Sequence, residues 1–292
     1  MVHLKKTLIF NTLYIKKQLY LCIMTYKLLC TDIDGTLLNA ERWLSEETIN
    51  AFAKAKLPTI LASSRMPSAL TYLQEGLSIS GSPLIAYNGG LILGTNGEVI
   101  QSNTLDLSIL EVVIDHQIQN DYNLSIYADD DWSTADEDYW TKREINNTRV
   151  QPTLEKPQET LRKLAIQKRG IHKLMCMGES EQLDSLIKSL GIYKDQVHLY
   201  RSKDTYVEIT PKNIDKAKAL QLLLNQEFDF GMEAVIAFGD NHNDDELIKR
   251  VGLGIAVGNA TETLKSLADY VSAYTNKEDA VAKAINKFLI ED

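Results

Sequence analysis

Long apolar runs, paired cysteines and blocks of like charge are all scarce in this chain of 292 residues, and each scarcity removes a class of protein. No continuous apolar stretch reaches the ~18 residues that a membrane helix needs, so no membrane partner is expected. The three cysteines, Cys22, Cys30 and Cys176, form no C-x-x-C pair and leave an odd number. That usage fits a reducing compartment better than a disulfide framework, and a cytoplasmic protein is expected. With 31 basic against 40 acidic residues the net charge is -9, and no Lys/Arg block offers a nucleic-acid footprint. Repeats and low-complexity tracts are missing too. An acidic chain can still bind phosphate if a metal ion or a few placed cations intervene.

The amino-terminal segment is apolar in pieces, Leu8-Ile9-Phe10 and Leu19 to Ile23, and Lys5-Lys6 imitates the start of a signal peptide. Lys16-Lys17 interrupts it, and no small-x-small cleavage site follows. Residues 1–23 are therefore expected to be an upstream extension, poorly ordered, with Met24 opening the structured part.

From there strands and helices alternate. An apolar run at 26–31 reads as a strand, Ser45 as the N-cap of a helix, 58–63 as a second strand, and Leu70, Leu73 and Leu77 as the stripe of a second helix before a strand at 84–87. Alternation of this kind argues for a parallel sheet. Two short strand-like stretches then flank Gly94-Thr95-Asn96-Gly97 as a hairpin, and the middle of the chain reads as a separate α+β unit. Alternation resumes after 206–210. The expected architecture is α/β: a Rossmann-like doubly wound core from residues 24–87 and 206–292, with an inserted α/β cap over 88–205.

Four segments fall after strands of that core, and each carries a part that phosphoryl transfer needs. Asp32-Ile33-Asp34-Gly35-Thr36 puts two carboxylates one residue apart, a nucleophile beside a proton donor. Taken alone, the five residues read equally well as an ordinary turn, since Asp and Gly crowd turns. Ser63-Ser64-Arg65 offers a hydroxyl and backbone N–H groups at a strand-to-helix turn. Lys216 supplies a cation, and Asp240-Asn241-His242-Asn243-Asp244 supplies oxygen ligands suited to Mg²⁺.

The ordered set resembles the haloacid dehalogenase superfamily of phosphohydrolases, specifically its Cof-type members with an α/β cap. The resemblance runs from Met24 to the C-terminus and includes Tyr87-Asn88-Gly89-Gly90, Glu208-Ile209-Thr210-Pro211 before Lys216, and the closing segments Val257 to Ala260, Ala268 to Val271 and Asn276 to Asp279. It implies a Mg²⁺-dependent phosphatase acting on small phosphomonoesters, such as sugar phosphates or phosphorylated cofactors. Asp32 would attack phosphorus and form an aspartyl-phosphate, while Asp34 would serve as acid and then base. The ion would be held by Asp32, the Asp34 carbonyl and Asp240, with Asp244 in support. Ser63, Asn243, Lys216 and the backbone N–H groups of Ile33 and Ser64 would grip the phosphoryl oxygens. Two departures from the family pattern are visible, Ser64 and Ala280, each where glycine is usual.

Blander readings stand beside these. Arg65 could contact substrate or pair with a neighbouring carboxylate, and Asn88 at the first crossing is a substrate-contact or hinge candidate. His242 reads as an exposed loop histidine, and Asp129-Asp130-Asp131 as a solvated hairpin tip. Trp132, Tyr139 and Trp140 could wall the substrate or fill the cap core. A phosphomutase would share the nucleophile, metal and lid, and a phospho-accepting regulatory domain would share Asp, Mg²⁺, hydroxyl and Lys without needing Asp34 or an insertion. The expected partner is a small phosphorylated metabolite, and the expected state a monomer or weak homo-oligomer.

Overall fold

The computed structural model describes residues 26–290, so the proposed extension over 1–23 lies outside the described residues. The strands in chain order are β1 (Leu28–Thr31), β2 (Thr59–Ala62), β3 (Leu84–Ala86), β4 (Leu91–Leu93), β5 (Val99–Ser102), β6 (Asn123–Ala128) and β7 (Asp131–Thr134). They continue with β8 (Thr153–Leu154), β9 (Lys173–Met177), β10 (Val197–Lys203), β11 (Tyr206–Pro211), β12 (Val235–Gly239), β13 (Leu253–Ala256) and β14 (Tyr270–Val271). They form two sheets, ordered β14-β13-β12-β1-β2-β3-β4-β5 and β10-β11-β9-β6-β7-β8.

In the first sheet β1 pairs in parallel with β12 on one side and β2 on the other. Its residues and those of β2 and β12 are buried throughout, which is why these strands read as unbroken apolar runs: helices cover both faces. Because the chain leaves β1 for β2 and reaches β12 only much later, the strand order reverses beside β1. That reversal opens a crevice at the carboxyl ends of the strands.

The second sheet is antiparallel except where β7 meets β8. Its strands alternate with a period of two. Leu124, Ile126, Leu174, Cys176, Val207 and Ile209 pack beneath the helices Leu107–Asn120, Pro157–Gln167 and Ser180–Ser189. Tyr127, Met175, Met177 and Tyr206 point the other way and join the apolar cluster of the first sheet. One face is thus cap interior, and the other faces the core.

Sheet membership departs from the expected division at both crossings. β4 and β5, expected in the cap, extend the core sheet as an antiparallel edge, because Asn88 in the left-handed region (φ 56°) turns the chain straight back on β3. β11, expected to reopen the core, lies between β10 and β9 in the cap sheet. Its Tyr-Val-Glu-Ile alternation suits a sheet with one half-polar face, not a strand buried on both sides.

Candidate active site

β1 ends in a wide single turn over Ile33–Leu37, closed by the Leu38 N–H on the Ile33 carbonyl at 3.1 Å. Within it Gly35 adopts φ +84°, and a β-carbon there would collide with the Asp240 carboxylate. Glycine lets the loop after β1 close against the loop after β12. Asn259 holds it there, donating to the Gly35 carbonyl at 2.8 Å, and Thr36 Oγ1 donates to Asp240 Oδ1 at 3.4 Å.

The helix Lys216–Glu227 delivers Lys216 from its first turn, after Asp215 caps the helix by accepting from the Lys218 N–H at 2.7 Å. Lys216 is fully buried, and its ammonium donates to Asp32 Oδ1 at 2.6 Å and to Asp244 Oδ1 at 2.7 Å. Asp244 Oδ2 in turn accepts from the Asp240 and Asn241 N–H groups at 3.1 and 3.3 Å. One oxygen of each of Asp32, Asp240 and Asp244 lies within 4.8 Å of the others. Burial raises the carboxyls of Asp32 and Asp240, Asp244 adds to the rise in both, and Lys216 opposes it.

Three carboxylates around one ammonium leave an excess of negative charge, and Asp32 Oδ2 is buried with no hydrogen-bond partner. Hard carboxylate oxygens gathered this closely, with more negative charge than one ammonium offsets, are what a divalent cation such as Mg²⁺ satisfies, so the residues present fit that ion.

Asp34 has quite different surroundings. Arg65 grips it with both arms, Nε to Oδ2 and Nη2 to Oδ1, each at 2.7 Å, and Arg42 adds a further bond to Oδ1. Burial would raise this carboxyl, but the Arg65 hydrogen bonds and the charges of Arg65, Arg42 and Lys173 outweigh it and hold it below its ordinary value. Arg65 is itself buried and also donates to Tyr72 Oη at 3.2 Å, so of its two readings the structure presents the carboxylate pair. Arg42 escaped the sequence reading. It sits in an irregular loop, where no periodicity marks a side chain's direction.

Ser63 is buried at the end of β2, where its Oγ accepts from the Arg65 N–H at 3.2 Å and its carbonyl from the Asn88 N–H at 2.7 Å. Asn243 Nδ2 donates to Asn88 Oδ1 at 3.1 Å, joining two residues far apart in sequence. Ser64 offers its carbonyl to Lys173 of β9 at 3.1 Å, a tie between the two sheets. Asp32, Asp34, Ser63, Asn88, Asp240 and Asn243 all line one cavity of about 660 Å³. The cap closes it with His198, Tyr200, Glu208, Thr210 and Lys212.

The three aromatics do not line that cavity. Trp132 is buried and stacks on Tyr127 at 5.7 Å, Trp140 packs edge-on against Tyr206 at 5.3 Å, and Tyr139 is exposed. The hairpin tip at 129–131 is bound, not merely solvated: Arg169 bonds Asp129 and Asp131 at 2.7 Å each, and Asp130 accepts from the Ser68 N–H of the core at 2.7 Å. Beside it Tyr87 stacks on His172 at 5.1 Å and donates to the Asp129 carbonyl at 2.8 Å. His242 is exposed and faces Asp245 at 3.4 Å. No helix of the described residues is long and apolar enough to cross a membrane.

Comparison with known proteins agrees with this arrangement. The family described as haloacid dehalogenase-like hydrolase matches residues 29–285. The 5-amino-6-(5-phospho-D-ribitylamino)uracil phosphatase of Bacillus subtilis is 30% identical over 267 residues, covering 90% of this chain and 96% of its own. The phosphoglycolate phosphatase of Methanobrevibacter smithii is 28% identical over 270 residues, covering 91% and 100%. The crystal structure of a haloacid dehalogenase-like hydrolase from Bacteroides thetaiotaomicron superposes with a TM-score of 0.82 at 28% identity, over 90% of this chain and 99% of that one.

Proposed function

The chain belongs to the haloacid dehalogenase-like hydrolase family as a phosphatase of small phosphorylated substrates, and within that class we propose a Mg²⁺-dependent, two-step hydrolysis of phosphomonoesters through an aspartyl-phosphate on Asp32. The observation that carries this reading is the buried Lys216 ammonium bridging Asp32 and Asp244 while the second Asp32 oxygen stays unpartnered. A carboxylate held this way is fixed in direction yet keeps one oxygen free to react.

In the first step that oxygen attacks phosphorus, the phosphorus–ester oxygen bond breaks, and Asp34 supplies the proton the departing alkoxide needs. In the second, Asp34 takes a proton from water as the water attacks the same phosphorus. The bond to Asp32 then breaks, and inorganic phosphate leaves. The ionised, guanidinium-paired Asp34 is the form suited to this second step, and donating a proton in the first requires one guanidinium contact to loosen. Lys216, Ser63 and Asn243 hold the phosphoryl oxygens and share their charge. Asp32, Asp240 and the Asp34 carbonyl, with Asp244 in support, would hold Mg²⁺, which would supply charge neutralisation between anionic nucleophile and anionic ester.

The names of the two curated relatives span a neutral polyol leaving group and an anionic one, so sugar phosphates and phosphorylated cofactors both remain within the proposal. The test is phosphate release from p-nitrophenyl phosphate and from a hexose 1-phosphate in Mg²⁺. Release that EDTA abolishes supports hydrolysis. Isomerised hexose phosphate with no phosphate released would instead indicate a mutase.

A further inference from the structure

The cavity carries six carboxylates, and their partners are unequal. Asp32 has Lys216 at 2.6 Å, Asp34 has Arg65 at 2.7 Å, Asp215 has Lys218 at 3.0 Å and Glu246 has Lys249 at 3.8 Å. Asp240 belongs to the metal cluster. Glu208, on the cap strand β11, is left: among the described residues its side chain has neither a hydrogen bond nor an ion pair. Lys173, on the neighbouring strand, acts on it through its field, but spends its ammonium on the Ser64 carbonyl at 3.1 Å. Lys212, the one lysine lining the cavity, is also engaged elsewhere, donating to the Lys194 carbonyl at 2.7 Å.

A half-buried carboxylate on a cavity wall, with its lone pairs open, is a ready acceptor for a donor that a ligand brings. Glu208 lines the same cavity as Asp34 and feels its charge, and in the mechanism proposed above Asp34 is the residue that meets the departing alkoxide. We propose that Glu208 is a specificity-determining residue that accepts hydrogen bonds from hydroxyl or amino groups of the leaving group. It thereby selects phosphomonoesters of neutral or cationic alcohols over esters bearing a second acidic group. A carboxylate on the leaving group would meet Glu208 with no free cation to compensate, whereas a hydroxyl or amine supplies the missing donor. This inference rests on the hydrolase reading above and concerns only which ester is chosen.

The experiment compares sn-glycerol 3-phosphate with 3-phosphoglycerate in Mg²⁺. The two share the phosphate ester and differ in carrying a hydroxymethyl or a carboxylate at the far end. The glycerol ester is expected to have a kcat/KM at least about tenfold higher. Glu208→Gln, which still accepts hydrogen bonds but carries no charge, is expected to bring the ratio to about threefold or less, chiefly by lowering KM for the carboxylate ester. A wild-type ratio near one overturns the proposal, and so does an unchanged ratio in a variant whose thermal melt shows it folded. The wild-type ratio decides the matter if the variant does not fold. Failure to release phosphate from p-nitrophenyl phosphate or from either ester overturns the hydrolase reading itself, and this inference with it.

Discussion

The two sheets bring polar groups to the same cavity in opposite ways. On the core side the charges are cross-tied into one network: Lys216 spans Asp32 and Asp244, two arginines hold Asp34, and Asp244 caps the backbone of the Asp240 loop. On the cap side Glu208 and His198 stand at the cavity wall with no side-chain hydrogen bond among the described residues, and Tyr200 meets Asn241 of the core at 3.3 Å. A preorganised network suits chemistry that must not vary, and a loosely tied wall suits choice among substrates. The division also follows from sheet type. Parallel strands converge their carboxyl ends on one rim, whereas an antiparallel sheet offers a whole face, one side chain in two.

The comparison breaks most sharply at Asp32. Asp32→Asn is expected to lower turnover by at least about 10⁴-fold, the scale for losing a nucleophile, and steady-state phosphate release measures it. If the core network alone carried the chemistry electrostatically, the loss would be far smaller. Asp34→Asn comes next, with an expected loss of about 10²–10⁴-fold, since only proton transfer is removed.

Lys216→Met tests whether the core network is structural as well as catalytic. It leaves Asp32 and Asp244 buried without their cation, and breaking such a pair costs about 3–5 kcal/mol. Thermal melting should show the loss, and added Mg²⁺ should recover part of it by neutralising the same carboxylates.

On the cap side the expected effects are smaller and pH-linked. Burial depresses His172 to about 4 against the opposing pull of Asp129. Because its folded pKa lies below the unfolded value, the neutral ring contributes stability above about pH 6.5 that is lost as pH falls towards 4. Melting curves over that window should show the decline, and His172→Asn should flatten it. The smallest effect is expected at Tyr139, which is exposed. Tyr139→Ala should change both melting temperature and kcat/KM negligibly, within about 0.5 kcal/mol.

Much of the core site was legible in the sequence because each of its parts follows a strand end, and strand ends announce themselves by an apolar run giving way to Asp, Ser or Gly. Asp32, Ser63 and Asp240 are all of this kind. Arg42 was not legible, since it reaches Asp34 from an irregular loop, and Glu208 was visible in a motif without a task. The sheet membership of 206–211 was misread for a related reason. Tyr-Val-Glu-Ile reads as a strand wherever it lies, and the one polar residue in it is a faint mark of the half-polar cap face that the pairing of β11 with β9 and β10 makes plain. The aromatics Trp132 and Trp140 had only their position in the inserted region to recommend them as a ligand wall, and apolar bulk serves a core and a ligand wall equally well.

The most direct test of the covalent role of Asp32 is the intact mass of the Asp34→Asn protein, quenched in acid shortly after mixing with Mg²⁺ and p-nitrophenyl phosphate, whose leaving group departs without a proton donor, followed by peptide mapping. The expected result is an adduct of one phosphoryl group on the peptide containing Asp32, accumulating because its hydrolysis lacks a base. A wild-type protein that releases phosphate while neither it nor Asp34→Asn ever carries that adduct would contradict a phosphoenzyme at Asp32.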